Sequence, residues 1–313
     1  MNVSSSDYRS ITRWMVRNAR PLDLARWQFH FENGSQAAVL AALAAYQNDD
    51  GGFGNALEID SWNPNSSPYT TAVAINVLEE IGLRDRNHEI IKRIVAYLAA
   101  TPEFDGDYWP AIISSNNDYP HAPWWADRTY DWGYTPTALL AGFVVFYADK
   151  DAAIYQRAEK IAGAAIKKYL YGTMPDGTAY NTVKREGEIG GIDKMLAFLE
   201  GAGVRPGYDV AEIRSVLNRQ AQTFIEKDDA KWTQYCWKPS NFVRSPDSIF
   251  YPGNEKAIEV ELDYILSKRN SEGIWDITWT WGAYEAEFAI SRNWWKANIV
   301  IENLRFLRAF GRL

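Results

Sequence analysis

Three stretches of this 313-residue chain carry the residue types that move protons or grip apolar ligands. The first is Glu58-Ile59-Asp60-Ser61-Trp62, two carboxylates two positions apart, a few residues before the Ser67-Pro68 start of a helical pattern. A helix N-terminus favours a nearby anion, and a carboxyl group buried among aromatic rings is driven towards its protonated form. Glu58 or Asp60 would then serve as a general acid. The structural alternative is that Asp60 or Ser67 caps the helix and Glu58 stays solvated.

The second stretch, Asp118 to Tyr134, holds two prolines, His121, Asp127 and Asp131 among three tryptophans. A connection this long and aromatic reads as a lid over a cavity mouth. His121 and Asp131 are its proton-transfer candidates, and Trp124, Trp125, Trp132 and Tyr134 are its ring surfaces. A lone loop histidine is more commonly a hydrogen-bonded structural residue. The third stretch places Trp279, Trp281 and Glu285 shortly before Trp294. With Trp62 and Tyr69, these rings would line a ligand site, where π-faces stabilise cations or stack on sugars. The competing reading is core packing, which Trp275 favours.

Other chemistries lack their residues. One cysteine and three histidines argue against a zinc centre, and no P-loop or dinucleotide fingerprint is present, so no metal or cofactor is expected. Thirty-three basic against 40 acidic residues, net charge −7, form no basic stripe, which sets nucleic acid aside as a partner. No run approaches the ~20 apolar residues of a membrane span. The N-terminal residues lack the basic-then-apolar pattern of a secretory signal, and the single Cys236 fits a reducing compartment, so a cytoplasmic location is expected. Fourteen tryptophans and 18 tyrosines exceed what a helical core of this size needs. Some are expected to line a cavity, unless they fill wedges between helices.

The elements that would position these residues are helices. Apolar periodicity predicts them over 7–19, 22–32, 34–47, 67–81, 88–100, 135–147, 151–171, 188–199, 210–226, 255–268 and 294–310. The Ala/Leu-rich segment 34–47 is apolar nearly all round and is expected to be buried on most sides. No strand ladder is evident.

An internal repeat organises the helices. Gln47-Asn48-Asp49-Asp50-Gly51-Gly52-Phe53 and Asn270-Ser271-Glu272-Gly273-Ile274-Trp275 share the pattern Asn, polar residue, acid, Gly, any residue, aromatic. Weaker copies read Asp105-Gly106-Asp107-Tyr108 and Asp176-Gly177-Thr178-Ala179-Tyr180, and a degraded one ends at Trp232. Glycine permits the left-handed turn that ends a helix, the acid accepts backbone N–H groups, and the aromatic packs back across the hairpin. Two helix starts are also alike, Tyr69-Thr70-Thr71-Ala72 and Tyr134-Thr135-Pro136-Thr137-Ala138.

Gln47 to Phe53 is similar to the QW repeat of squalene and terpenoid cyclases, and 270–275 is a poorer copy. The loop Leu57-Glu58-Ile59-Asp60, with its later Pro64 and Ser66-Ser67-Pro68, and the stretch Pro120 to Trp125 resemble a group of bacterial single-domain toroid proteins. Ile59 stands where that group has proline. The resemblance implies an all-α fold of the terpenoid-cyclase and protein-prenyltransferase kind. In that fold five or six helical hairpins make an α/α toroid of inner and outer helices, here one domain over 1–313 with an aromatic-lined central cavity. It points to a metal-independent, acid-catalysed enzyme acting on a hydrophobic or isoprenoid small molecule. The sequence departs from the cyclases in lacking DxDD and DDxxD. A carbohydrate-active (α/α)6 hydrolase or lyase with paired carboxylates, among Glu58, Asp60, Asp131 and Glu285, stays open, as does a non-catalytic toroid that binds a ligand in its cavity.

Overall fold

In a computed structural model, the described residues are 2–126, 132–173, 177, 179, 186–205 and 207–313. They are all-helical: α1 (Ser5–Asn18), α2 (Pro21–Phe31), α3 (Gln36–Ala44), α4 (Pro68–Glu80), α5 (Glu89–Ala100), α6 (Thr137–Tyr147), α7 (Ala153–Tyr171), α8 (Glu186–Gly201), α9 (Val210–Phe224), α10 (Glu255–Ser267) and α11 (Glu285–Ala309). Extended pairing among them is limited to four isolated bridges. None of these helices is long and apolar enough to cross a membrane. The chain divides into two compact units, Tyr46–Thr223 and a second built from Met1–Ala45 with Phe224–Leu313.

Within 46–223, buried and amphipathic helices alternate for a sequence reason. α6 (TALLAGFVVFY) carries no charge, and every residue but Phe146 is buried. It packs against α4, α5, α7 and α8. Its approach to α8 is close enough that a Cβ on Gly142 would stand 2.7 Å from the Met195 Cα, so only glycine fits there. α5 and α7 each show one apolar stripe, Ile90-Ile91-Ile94-Tyr97-Leu98 and Ile154-Tyr155-Ala158-Ile161-Ala162-Ala165-Ile166-Tyr169, at the three- and four-residue spacing of a helix lying on a core. Ser67 starts α4 by accepting the Thr70 N–H at 3.0 Å, and Pro68 supplies the preset first helical residue.

The second unit joins α1, α2 and α3 to α10 and α11. α2 packs on α3 and α11, and α1 on α11. Its core includes Trp27, fully buried, and the Ala297, Val300, Ile301, Leu304 and Leu307 stripe of α11. A charged network is buried with it: Asp23, 0% exposed, lies 2.6 Å from the Arg20 Nε and 3.1 Å from Arg26, which reaches on to Glu302 at 3.5 Å.

Two expectations about helices need correction. α3 buries only Val39 and Leu43, while Ala37, Ala38, Ala41 and Ala44 face solvent. Alanine is apolar by composition but small enough to stand in water at little cost, so an Ala-rich helix need not be central. α11 begins at Glu285 instead of Trp294. Tyr284, at φ 50°, turns the chain into the helix, and Glu285 and Glu287 sit in the first turn, where the helix dipole favours them.

The repeat turn recurs in both units. In the first copy the Asn48 N–H donates to the Gly52 carbonyl at 2.9 Å and the Gly51 N–H to the Asn48 carbonyl at 2.9 Å. In the later copy Asn270 donates to Ile274 at 2.7 Å and Gly273 to Asn270 at 2.9 Å. Gly51 (φ 89°) and Gly273 (φ 82°) occupy the same left-handed position. Gln47 pairs with Phe53 as Thr173 pairs with Ala179, and Gly177 (φ 83°) matches Gly51. In this copy Asp176, Thr178 and Tyr180 lie outside the described residues, and Ala179 stands where Phe53 does.

In the Asp105 copy the packed aromatic is Trp109 instead of Tyr108. Phe53 receives the Thr71 hydroxyl oxygen on its N–H at 3.2 Å, and Trp109 receives that of Thr137 at 3.0 Å, each threonine lying at the start of the next buried helix. The tryptophans also share a clasp. Trp109 donates its indole N–H to the Leu98 carbonyl, Trp275 to Ile265 and Trp232 to Glu226, at 3.2, 2.9 and 2.8 Å. The aromatic thus seals the hairpin by area and by one hydrogen bond, to the helix before it for Trp109 and Trp275 and to the chain two residues past α9 for Trp232.

Candidate functional site

The loop after the first repeat turn is shaped before its chemistry is placed. Gly54 lies so close to the Pro64 carbonyl that a Cβ would meet it at 2.2 Å. Asn55 and Ala56 follow with φ of 56° and 59°. This left-handed pair reverses the chain, and the Asn55 N–H closes the reversal on the Asn63 carbonyl at 3.0 Å. Leu57 to Ser61 are thereby turned inward and all are buried. Glu58, 9% exposed, accepts the Asp60 N–H on its carboxylate at 3.2 Å, while its carbonyl accepts Ser61 N–H at 3.1 Å. Asp60 is 4% exposed.

Residues 60–62 then pair with 120–122, far along the chain. The Trp62 N–H donates to the Pro120 carbonyl and the Ala122 N–H to the Asp60 carbonyl, both at 2.9 Å, with Ser61 and His121 facing each other as an antiparallel bridge. Two candidates of the sequence analysis, the acidic loop and His121, are therefore neighbours. His121 is 9% exposed, and its Nδ1 lies 2.6 Å from the Tyr119 carbonyl. A carbonyl only accepts, so Nδ1 carries a proton and donates it.

The amides Asn63 and Asn116, both buried, brace the same junction. Asn63 Nδ2 donates to Asn116 Oδ1 at 2.9 Å, and Asn116 Nδ2 to the Trp125 carbonyl at 3.1 Å. Neither was singled out in the sequence, since an asparagine in a loop carries no local sign of its partner.

Aromatic rings gather beside this junction. Trp125 and Trp132 stack in parallel, 2° apart with centroids at 5.4 Å, and Tyr69 meets both nearly edge-on at 4.5 and 6.1 Å. Trp125 is 4% exposed and its indole N–H has no acceptor among the described residues. Trp124 stands apart from this trio in exposure, 38% open to solvent on a 3-10 turn. Trp62 is half-buried. Asp131 lies outside the described residues.

Tyr134 belongs to a second cluster of the same unit. Its N–H donates to the buried Glu188 carboxylate at 2.6 Å, its ring lies 4.9 Å from that of Tyr108, and the Lys168 ammonium stands 5.4 Å from it. Burial pushes the Tyr134 hydroxyl well above its ordinary range, and Tyr108 adds to the shift. Tyr169 is raised by burial and by the Glu188 charge. Glu188 passed unnoticed in the sequence because its burial depends on α8 meeting the chain before α6.

The remaining candidates lie in the other unit. Trp281 is 2% exposed and packs on Phe288 at 5.5 Å, a core role. Trp279 crosses Trp295 at 5.2 Å and Tyr235 at 6.1 Å. Trp294 lies under the Arg20 guanidinium at 5.5 Å. Glu285 is exposed in the first turn of α11. That unit also holds an unforeseen buried acid, Glu261, which accepts the N–H and hydroxyl of Ser240 at 2.7 and 2.6 Å and is raised by burial.

Among the described residues, no group of three or more His, Cys, Asp and Glu is gathered as metal ligands would be. Comparison of the chain with protein families, with curated proteins and with solved structures returned no match.

Proposed function

We propose that the chain is a terpenoid-cyclase-like α/α-toroid protein whose unit 46–223 performs acid catalysis on a hydrophobic, isoprenoid-type small molecule without a metal. The recurring Asn-acid-Gly turns and the alternation of buried and amphipathic helices support the toroid reading. One observation supports the chemical reading: the backbone of residues 60–62 pairs with 120–122, so the loop that holds the buried Asp60 and Glu58 runs alongside the segment that holds His121 and leads into Trp125, whose ring meets Tyr69 and Trp132.

In this reading Asp60 delivers a proton to an apolar substrate, and Glu58 and His121 hold and return it. The Trp125 and Trp132 faces stabilise the cation that protonation creates, a contact that strengthens where water is excluded. Native mass spectrometry of the purified chain is the first test, followed by product analysis with a panel of linear polyprenyl substrates. A co-purifying isoprenoid or a cyclised product is the expected result. Asp60→Asn keeps the shape and removes the proton, and should lower the rate by about 10²–10⁴-fold. Full activity in Asp60→Asn, or turnover of oligosaccharides alone, would overturn the assignment.

A further inference from the structure

The outward stripe of α1 is made of Ser6, Arg9, Ser10, Arg13, Val16 and Arg17, all exposed, while Ile11, Trp14 and Met15 are buried on its other side. The three arginines recur every four residues, so they form one row with a step of about 6 Å along the helix. None of the three has a hydrogen bond or ion pair among the described residues. Asp7, the one acid of α1, is already held by the Ser4 hydroxyl at 2.7 Å and by Arg269 at 2.9 Å. Val16 stands 59% open to solvent beside the row.

An unpaired cationic row on a chain of net charge −7 fits an anionic partner. Guanidinium groups are weakly hydrated and pair bidentately with carboxylates, which is why arginine is the cation enriched at protein interfaces. Lipid and nucleic acid fit less well. The apolar side of α1 is buried in the core and has nothing to insert, and three phosphate contacts release few counterions against the repulsion of an acidic chain.

The same unit carries a matching surface. On α10, Glu255, Glu259 and Asp263 recur at the same four-residue step and are exposed, with Val260 37% open beside them. Lys256 is exposed one position off that row. Arg312 keeps the two rows on neighbouring surface. Its carbonyl accepts the Val3 N–H at 3.4 Å, two residues before α1, and its guanidinium pairs with Glu259 at 3.3 Å and with Asp263. One arginine shared by two carboxylates leaves the α10 row acidic, and each carboxylate keeps further acceptor sites.

We propose that the partner is a second copy of this chain: α1 of each protomer docks its Arg9, Arg13 and Arg17 row on the Glu255, Glu259 and Asp263 row of α10 in the other, about a two-fold axis. Each protomer then gives and receives the same contact, and the assembly closes as a dimer. At about 150 mM salt the repulsion between two chains of net charge −7 is screened beyond about 8 Å, whereas pairs in contact keep their attraction.

Sedimentation equilibrium of the full chain from about 1 to 500 µM, at about 150 mM and about 1 M salt, tests this. A monomer–dimer equilibrium that shifts to monomer at the higher salt is expected. Arg13→Glu should weaken the dimer by about ten-fold or more, as should Glu259→Arg, because each sets like charges against each other. Arg13→Glu places its acid four residues from Arg9 and Arg17, so α1 itself is not weakened. An equimolar mixture of the two variants, and the double variant Arg13→Glu with Glu259→Arg, should restore association to within about three-fold of the original chain, because the charges are exchanged across the contact. Glu212→Arg, exposed on α9, should change nothing. The proposal falls if the chain is monomeric throughout, if Arg13→Glu leaves the equilibrium unmoved, or if neither the mixture nor the double variant restores what the single variants lose. A monomeric chain that binds anionic lipid vesicles or duplex DNA through Arg13 would overturn it too.

Discussion

Replacing Gly51 by alanine tests the claim that the repeat turn is fixed by contact as well as by backbone conformation. Gly51 has φ 89°, where an L-residue costs about 1–2 kcal/mol. A Cβ there would also stand 2.3 Å from the Arg93 carbonyl oxygen and 2.8 Å from its carbon. Arg93 lies inside α5, so its carbonyl cannot retreat without straining that helix. Forcing a methyl into such packing adds about 1–3 kcal/mol. The whole effect should be about 2–5 kcal/mol. Gly82, at the end of α4 in the same unit, provides the control: its φ is 70° and nothing lies within 4 Å of an added Cβ. Gly82→Ala should cost only the conformational part, about 1–2 kcal/mol. Urea unfolding followed by tryptophan fluorescence, with far-UV circular dichroism as a second probe, measures both. A Gly51→Ala variant no less stable than Gly82→Ala would refute the argument, because the clash with α5 would then be absent.

Three other outcomes follow from buried polar groups. Thr71→Val and Thr137→Val each deprive a buried backbone N–H, of Phe53 or Trp109, of its acceptor, and each should cost about 1–3 kcal/mol in the same unfolding experiment; a loss under a few tenths would mean the threonines do not hold the hairpins. Asp23→Asn leaves the buried Arg20 and Arg26 without their shared carboxylate, and should cost about 3–5 kcal/mol by thermal or urea denaturation, against nearly nothing if the network were solvated. Glu261 and Asp193 are both raised by burial, so the folded chain holds protons there that the unfolded chain has released. Stability from these groups is present below the ordinary carboxylate range and is lost as pH rises through their folded values. Unfolding free energy should therefore rise on acidification from neutrality towards about pH 4.5, and Glu261→Gln should flatten part of that slope; an unchanged slope would show that Glu261 does not contribute.

Local signals in the chain are enough for the helices and for the turns between them. Periodic apolar residues specify α5 and α7 because a helix buries whichever side chains recur every three or four positions, wherever its partner lies. Gly51 and Gly273 announce their turns because only glycine takes that backbone conformation at no cost. The same local logic misplaced the packed aromatic at Tyr108, since two adjacent rings both satisfied the pattern and only the Thr137 contact selects Trp109. It also placed α3 in the interior, because apolar composition does not say whether anything lies on the other side.

Tertiary structure alone decided which chemical groups meet. Glu58, Asp60 and His121 were each visible as residue types, but the meeting of the two segments that hold them depends on 60–62 pairing with 120–122 across an interval that contains α4 and α5. The stacking of Trp125 on Trp132, the burial of Glu188 under Tyr134 and of Glu261 under Ser240 have the same origin. The physical reason is range. Backbone conformation and periodicity are set by neighbours a few residues away, whereas burial, hydrogen-bond partners and the charge state of a carboxyl group are set by whatever the folded chain brings against it.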